Sequence, residues 1–233
     1  MLIGLADAPV PRYPLYVALG GKRVLVVGGG AVAERKVRTL LRYQAQVTLI
    51  APESTLVLSE LAADGAIEWR RRAFAPGDCQ GCAIVICAVG CRDIDELVYA
   101  DAQACKALVN VVDVPELCDF YVPSIVDRGS LQIAISTSGA SPATARKLRK
   151  QLEWQFPPVW ERYLLLLAQV RALVLERISG GEAERKPLME RLASLGLLQR
   201  LKAGESPEAE AVYQELLAAH DGAVVPATEE LAR

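Results

Sequence analysis

The chain has 233 residues, 52% hydrophobic and 23% charged, enough for one large domain or two smaller ones with a packed interior. Its 26 basic and 28 acidic residues leave a formal net charge of −2, so nothing global marks a surface for nucleic acid or for an anionic membrane. No apolar run approaches the roughly 20 residues that span a bilayer, and the opening MLIGLADAPVPRYP lacks the basic start and long apolar centre of a secretion signal, so the expected location is the cytoplasm.

Val24 to Val27 is an apolar run that breaks at three glycines and resumes as a helical pattern. A second apolar run, Val47 to Ile50, follows and leads to an acid, Glu53. Strand, tight turn, helix, strand and acid in this order are the parts of a dinucleotide-binding βαβ unit. The glycine pattern is Gly28-x-Gly30-x-x-Ala33. Gly28 permits the turn, Gly30 lets backbone approach a pyrophosphate, and Ala33 lets the helix pack closely on the strand. The helix N-terminus supplies N–H groups to the anion, with Ala31 and Val32 touching the cofactor through their backbone. Glu53 is placed to accept hydrogen bonds from the adenosine ribose, which favours NAD over NADP because an acid there repels a 2′-phosphate. Its structural alternative is an acid at the N-terminus of a helix beginning at Ser54.

Residues 54–64 read as a helix with Gly65 as its stop, and Ala66 to Arg70 as a short strand. Ala83 to Val89 is a continuous apolar run of the kind buried on both faces of a sheet. Asp93 to Ala107 is helical, and Leu108 to Val112 is another buried strand. This alternation from 17 to 112 predicts a mostly parallel sheet with helices on both faces. Phe120 to Val126 and Leu131 to Thr137 then read as an antiparallel hairpin turning at Asp127-Arg128-Gly129. Ser141 suits a helix N-cap and Pro142 the first helical position. From Pro158 onward the chain is helical, with breaks expected at Gly180-Gly181 and near Gly204, a further cap at Ser206-Pro207, and fraying in the last ten residues.

Six cysteines cluster in the middle third, and Cys79-Gln-Gly-Cys82 has metal or redox spacing. No second pair matches it and no histidine lies nearby, so the expectation is reduced thiols and no metal site.

Taken together, GGGAVAERK (28–36), IAPE (50–53), NVVDVPELCDFYVPSIVDRG (110–129) and ISTSGASPATARKLRK (135–150) resemble the NAD-dependent precorrin-2 dehydrogenases, some of which are also sirohydrochlorin ferrochelatases. The resemblance runs from about residue 13 to 175. The methyltransferase domain fused to some members is not expected in a chain of this length. The resemblance implies oxidation of precorrin-2 to sirohydrochlorin with NAD+ taking the hydride, and a homodimer built by exchange of the hairpin. The fold expected is α/β: a Rossmann-type NAD-binding domain over 1–112, a small α+β dimerisation segment with hairpin and helix start over 113–147, and a helical C-terminal region over 148–233.

Asp113 is the expected catalytic base. It follows the buried strand LVNVV, open parallel sheets place their crevice at the carboxyl ends of strands, and it matches the aspartate that the family uses. By position alone it serves equally as a cap for the turn beside Pro115. Asn110 is expected to orient loop or substrate. Ala51 and Pro52 should form the adenine-side edge, and Val89 should lie under the nicotinamide half. The tetrapyrrole substrate carries eight carboxylates. Ser138 and Ser141 open a helix N-terminus suited to one, and Arg146 and Arg149 can grip others through paired hydrogen bonds. A solvated helix face explains those charges as well.

Chelation of Fe2+ or Co2+ at the same site stays open alongside the oxidation. Histidine is the commonest transition-metal ligand, and the one histidine, His220, stands near the end of the chain. Two other readings fit parts of the pattern: an NAD-dependent oxidoreductase of another substrate, and a non-catalytic NAD sensor with a helical output region. The NVVD and SGxSP segments argue against the first, and the lack of a strongly basic recognition helix argues against DNA-binding output.

Overall fold

The structure is a computed structural model that describes residues 12–221. The expectations for the chain's opening and for its last ten residues lie outside these, as does the side chain of His220. The described residues form two compact units. One ends at Val122 and includes Ser138–Ala140; the other takes Pro123–Thr137 and the chain from Ser141 onward.

The first unit is built on strands β1 (Arg23–Val27), β2 (Gln46–Ile50), β3 (Glu68–Arg70), β4 (Ile84–Cys87) and β5 (Leu108–Val111). They form one sheet in the order β3-β2-β1-β4-β5, parallel at every pairing. Successive strand side chains point to opposite faces, so the continuous apolar runs supply both. Val24, Val26, Val47, Leu49, Ile84 and Ile86 pack against Ala33, Val37 and Leu40 of helix α1 (Ala31–Arg42) and Leu58 of helix α2 (Leu56–Ala63). Leu25, Val27, Val85, Cys87, Val109 and Val111 pack on the other face with Val98 and Ala102 of helix α3 (Arg92–Ala104). Each fully buried valine or leucine contributes about 1.5–3 kcal/mol over exposure to water. The expected α/β fold with a parallel sheet and helices on both faces is what forms.

Helix α2 starts at Leu56 rather than Ser54, because Thr55 takes the N-cap and its hydroxyl accepts from the Leu58 N–H at 3.3 Å. It stops before Gly65, whose φ of +73° ends the helical course.

In the second unit, β6 (Ser124–Arg128) and β7 (Leu131–Ile135) form an antiparallel hairpin. The first strand starts at Ser124, later than the expected Phe120, just after Pro123, which has no N–H to give a ladder. The turn is also tighter than expected. Arg128 pairs with Leu131 inside the ladder, and its guanidinium donates to the Phe156 carbonyl at 2.7 Å at the end of helix α4 (Pro142–Gln155). Ser141 caps α4 as expected, accepting from the Thr144 N–H at 3.2 Å, with Pro142 at the first position. Helices α5 (Val159–Arg177), α6 (Glu182–Ala193), α7 (Leu197–Lys202) and α8 (Ala209–Asp221) share a core of Val170, Val174, Leu188, Leu197, Val212 and Leu216. The break at Gly196, with φ +63°, was not expected from sequence. Helix α8 begins three residues after Ser206, whose hydroxyl accepts from Arg162 at 2.8 Å instead of capping. Hairpin and helices belong to one compact unit. Among the described residues no helix is long and apolar enough to cross a membrane.

Candidate active site

Because β1 and β4 are neighbours and the chain leaves them in opposite directions, their carboxyl ends form the switch point where such sheets bind ligands. Three glycines follow β1, and the structure gives each a different task. Gly28 has φ +111°, and a Cβ there would meet the Ala88 carbonyl oxygen at 2.6 Å. At Gly29 a Cβ would fall 1.9 Å from the Glu53 carbonyl oxygen, and the Gly29 carbonyl accepts from the Thr55 N–H at 2.9 Å. That pair of contacts laces the loop after β2 onto the loop after β1. A Cβ at Gly30 would meet no protein atom within 4 Å, so its lack of a side chain serves no packing purpose and leaves an open cradle.

Helix α1 starts at that cradle without a side-chain cap. The one acid of its first turn, Glu34, is engaged by the Thr55 hydroxyl at 2.8 Å and by Arg38 at 3.0 Å. The first N–H groups of α1 are thus left to an anion. Ala31 is exposed, and Val32 and Val89, at 38% and 41% exposure, present apolar surface beside the crevice. Ala51 is buried and its carbonyl accepts from the Trp69 indole N–H at 3.0 Å, which fixes the edge that Pro52 and Glu53 continue. Glu53 is exposed, and since Thr55 caps α2 the acid has no capping role.

The chain leaves β5 through Val112, whose N–H is held by the Cys87 carbonyl at 2.9 Å, and reaches Asp113. Asp113 is exposed and adopts φ +62°, a left-handed conformation that is uncommon outside glycine but that Asp takes more readily than most residues. Asn110 is buried; its amide donates to the Phe120 carbonyl at 2.9 Å and to the Cys118 sulfur at 3.4 Å. These bonds tie the end of β5 to the loop that follows it. Asp119 closes the same loop by accepting from the Val109 N–H at 3.0 Å.

Two residues of this region escaped the sequence reading. Lys36 lies half-buried on α1. Burial lowers its pKa, Arg35 lowers it further, and Asp113 and Cys118 push the other way. Its signal was a lysine three residues after Ala33 and next to Val37, on a face that should be apolar. Asp95 is buried in α3 and accepts from the Cys87 thiol at 3.1 Å. Burial, and then that hydrogen bond, push the Cys87 thiol up to about 12.

Ser138, with φ +50°, belongs to the first unit, whereas Ser141, Arg146 and Arg149 belong to the second. The Ser141 hydroxyl is committed to its cap, and Arg149 is paired with Glu153. Arg146 is exposed and lines an open groove of about 1030 Å³ with Ile135, Lys147, Lys150 and Trp154. Cys79 and Cys82 are free and buried, with burial raising both thiol pKa values, and Asp101 accepts from the Cys79 N–H at 3.0 Å. Among the described residues no group of three or more His, Cys, Asp or Glu side chains is arranged to hold a metal ion.

A parallel sheet with an open glycine cradle and an uncapped helix at its switch point defines an α/β protein of the dinucleotide-binding class. Comparison with known proteins agrees: residues 15–124 match the family described as "Putative NAD(P)-binding", and residues 128–155 match "Sirohaem biosynthesis protein central". Siroheme synthase 3 of Aeromonas hydrophila subsp. hydrophila is 41% identical over 209 residues, covering 88% of this chain and 44% of that protein. Siroheme synthase of Nitrosococcus oceani is 38% identical over 218 residues, covering 94% of this chain and 46% of that protein. The chain is similar to these sirohaem-synthesis proteins, and it spans about half the length of the curated relatives it matches. The solved structure of SirC, precorrin-2 dehydrogenase, shares the fold with a TM-score of 0.73 at 23% identity, covering 89% of this chain and all of that one.

Proposed function

We propose that the chain is an NAD-dependent dehydrogenase that oxidises precorrin-2 to sirohydrochlorin. The observation that carries this is an exposed, left-handed Asp113 at the carboxyl end of β5, in the same unit as the open Gly30 cradle after β1. The names of the relatives and of the SirC structure supply the substrate.

The bound nicotinamide supplies the hydride acceptor. The backbone of Gly28, Gly30, Ala31 and Val32 holds the pyrophosphate, Glu53 takes the ribose hydroxyls and disfavours NADP, Ala51 and Pro52 edge the adenine, and Val89 supports the nicotinamide half. Oxidation removes a hydride and a proton from the macrocycle, and Asp113 accepts the proton. Asn110 acts through the loop it holds. Ser138, in the same unit as Asp113, takes a substrate carboxylate.

Metal insertion is the finer claim: the same carboxylate accepts pyrrole protons while Fe2+ or Co2+ enters as substrate. The protein works as a homodimer, a reading supported by Trp154 at 84% and Leu148 at 39% exposure on the basic groove of α4. The cytoplasm is the compartment that keeps its six free cysteines reduced.

Asp113→Asn tests the assignment, since asparagine tolerates the left-handed backbone. Turnover should fall roughly a hundredfold or more while NAD affinity stays within a few-fold. Unchanged turnover would remove Asp113 from the chemistry. A sensor that needs no chemistry would bind NAD and change shape as before.

A further inference from the structure

We propose that Cys87 and Asp95 are a positioning pair, a buried thiol–carboxylate staple that fixes the loop after β4 under the nicotinamide half and keeps it in register with the loop carrying Asp113. The inference rests on the dehydrogenase reading, although one arm of its test needs no turnover. Cys87 is fully buried and Asp95 is 3% exposed, and the thiol donates to the Asp95 carboxylate at 3.1 Å. A carboxylate taken out of water needs donors in place of those it loses, and the thiol is one. Neither side chain takes part in the hydride or proton transfer.

Cys87 is the last residue of β4, and Asp95 lies in the first turn of α3. Their bond spans eight residues and closes the base of the loop on which Val89 stands exposed. The Asp95 N–H also donates to the Cys91 carbonyl at 2.9 Å, so one residue fastens the far end of that loop by backbone and side chain together. At the near end the Ala88 N–H donates to the Val27 carbonyl at 2.8 Å, and the Ala88 carbonyl oxygen lies against Gly28 of the cofactor cradle. Cys87 reaches the base as well. Its carbonyl accepts from the Val112 N–H at 2.9 Å, one residue before Asp113, and Val114, one residue after it, packs on the cluster that holds the Cys87 side chain. Cys87 therefore stands between the two loops whose alignment sets where hydride and proton leave. Apolar side chains of like shape could fill this space at little cost to stability. A polar pair here points to placement.

The test compares three variants. Cys87→Ala removes the donor, Cys87→Ser keeps one, and Cys87→Val with Asp95→Leu replaces both partners by apolar groups and leaves no buried carboxylate unpaired. Titration with NAD+ and with ADP-ribose, which lacks the nicotinamide, reads the loop without turnover. Cys87→Ala should weaken NAD+ binding while leaving ADP-ribose binding unchanged, and should lower kcat roughly ten-fold or more. Cys87→Ser should recover most of both. The double variant should melt close to the wild type yet keep the low kcat, a split that a merely structural pair would not give. If Cys87→Ala does not fold, the double variant decides by the same comparisons. Full kcat without the bond, or equal weakening of NAD+ and ADP-ribose, would overturn the proposal. If NAD+ binding falls selectively while the wild-type protein oxidises no precorrin-2, the pair stands and the dehydrogenase reading fails.

Discussion

Three adjacent glycines at the end of β1 do three separable jobs, and single substitutions can tell them apart. Gly29→Ala drives a methyl into the Glu53 carbonyl. It should destabilise the fold by about 1–3 kcal/mol or more, since backbone on both sides leaves little room to yield. Gly30→Ala meets no protein atom. It should leave the melting temperature nearly unchanged while weakening NAD binding about ten-fold, or about 1.4 kcal/mol. Thermal unfolding and NAD titration of the pair would show the two effects on different residues; loss of stability at Gly30 and of binding at Gly29 would reverse the assignment. Asp113 gives a companion case. Asp113→Gly removes the left-handed strain and should hold stability within about 1 kcal/mol, whereas Asp113→Val should cost about 1–2 kcal/mol because a β-branched residue resists that conformation. Both should lose turnover, which separates the strain from the chemistry. The glycine cradle was legible in sequence because Gly28-x-Gly30-x-x-Ala33 carries its spacing in the chain. Gly29 was not, since its constraint comes from the distant loop that follows β2. Asp95 stayed hidden for the same reason: its partner Cys87 meets it only in three dimensions.

At the level of elements, strand and helix periodicity located every member of the parallel sheet, and the errors fell at ends where a side chain chooses among competing partners. Thr55 caps α2, which starts at Leu56 rather than Ser54, Arg128 joins β6 rather than its turn, and Ser206 receives Arg162 instead of capping α8. Where the cap is correct it is testable. Ser141→Ala should remove the hydrogen bond to the Thr144 N–H and lower stability by about 1 kcal/mol, measured by denaturant unfolding. The β4–α3 pair carries a pH signature. The Cys87 thiol is raised to about 12 from the ordinary 9.0, so the folded state keeps its proton longer than the unfolded chain does. The unfolded chain therefore releases a proton first, and this stability is full below about pH 9 and declines as pH rises toward 12. Cys79, Cys82 and Cys118 shift in the same direction, each chiefly through burial. Unfolding free energy measured from neutral to strongly alkaline pH should fall across that window, and Cys87→Ala should flatten part of the fall. A stability that rises with pH there would contradict the burial of these thiols.

Over the whole molecule, one unit carries the cofactor cradle and the proposed base, and the other joins the hairpin to a helical bundle with its own core. The break in rhythm after residue 112 was legible in the sequence, whereas the packing of the hairpin on α4 and α5 leaves no mark in local composition. Trp154 stands 84% exposed on α4 beside Leu148, an apolar surface that a single copy leaves to water. Trp154→Glu should convert a dimer to a monomer in analytical ultracentrifugation; a wild-type monomer would refute the homodimer. The central claim is tested most directly by anaerobic incubation of the protein with precorrin-2 and NAD+, following NADH absorbance together with the macrocycle spectrum, with ferrous iron withheld until oxidation is complete. The account predicts NADH formed in step with sirohydrochlorin, and lost in Asp113→Asn. Folded protein that binds NAD yet forms no NADH would contradict it.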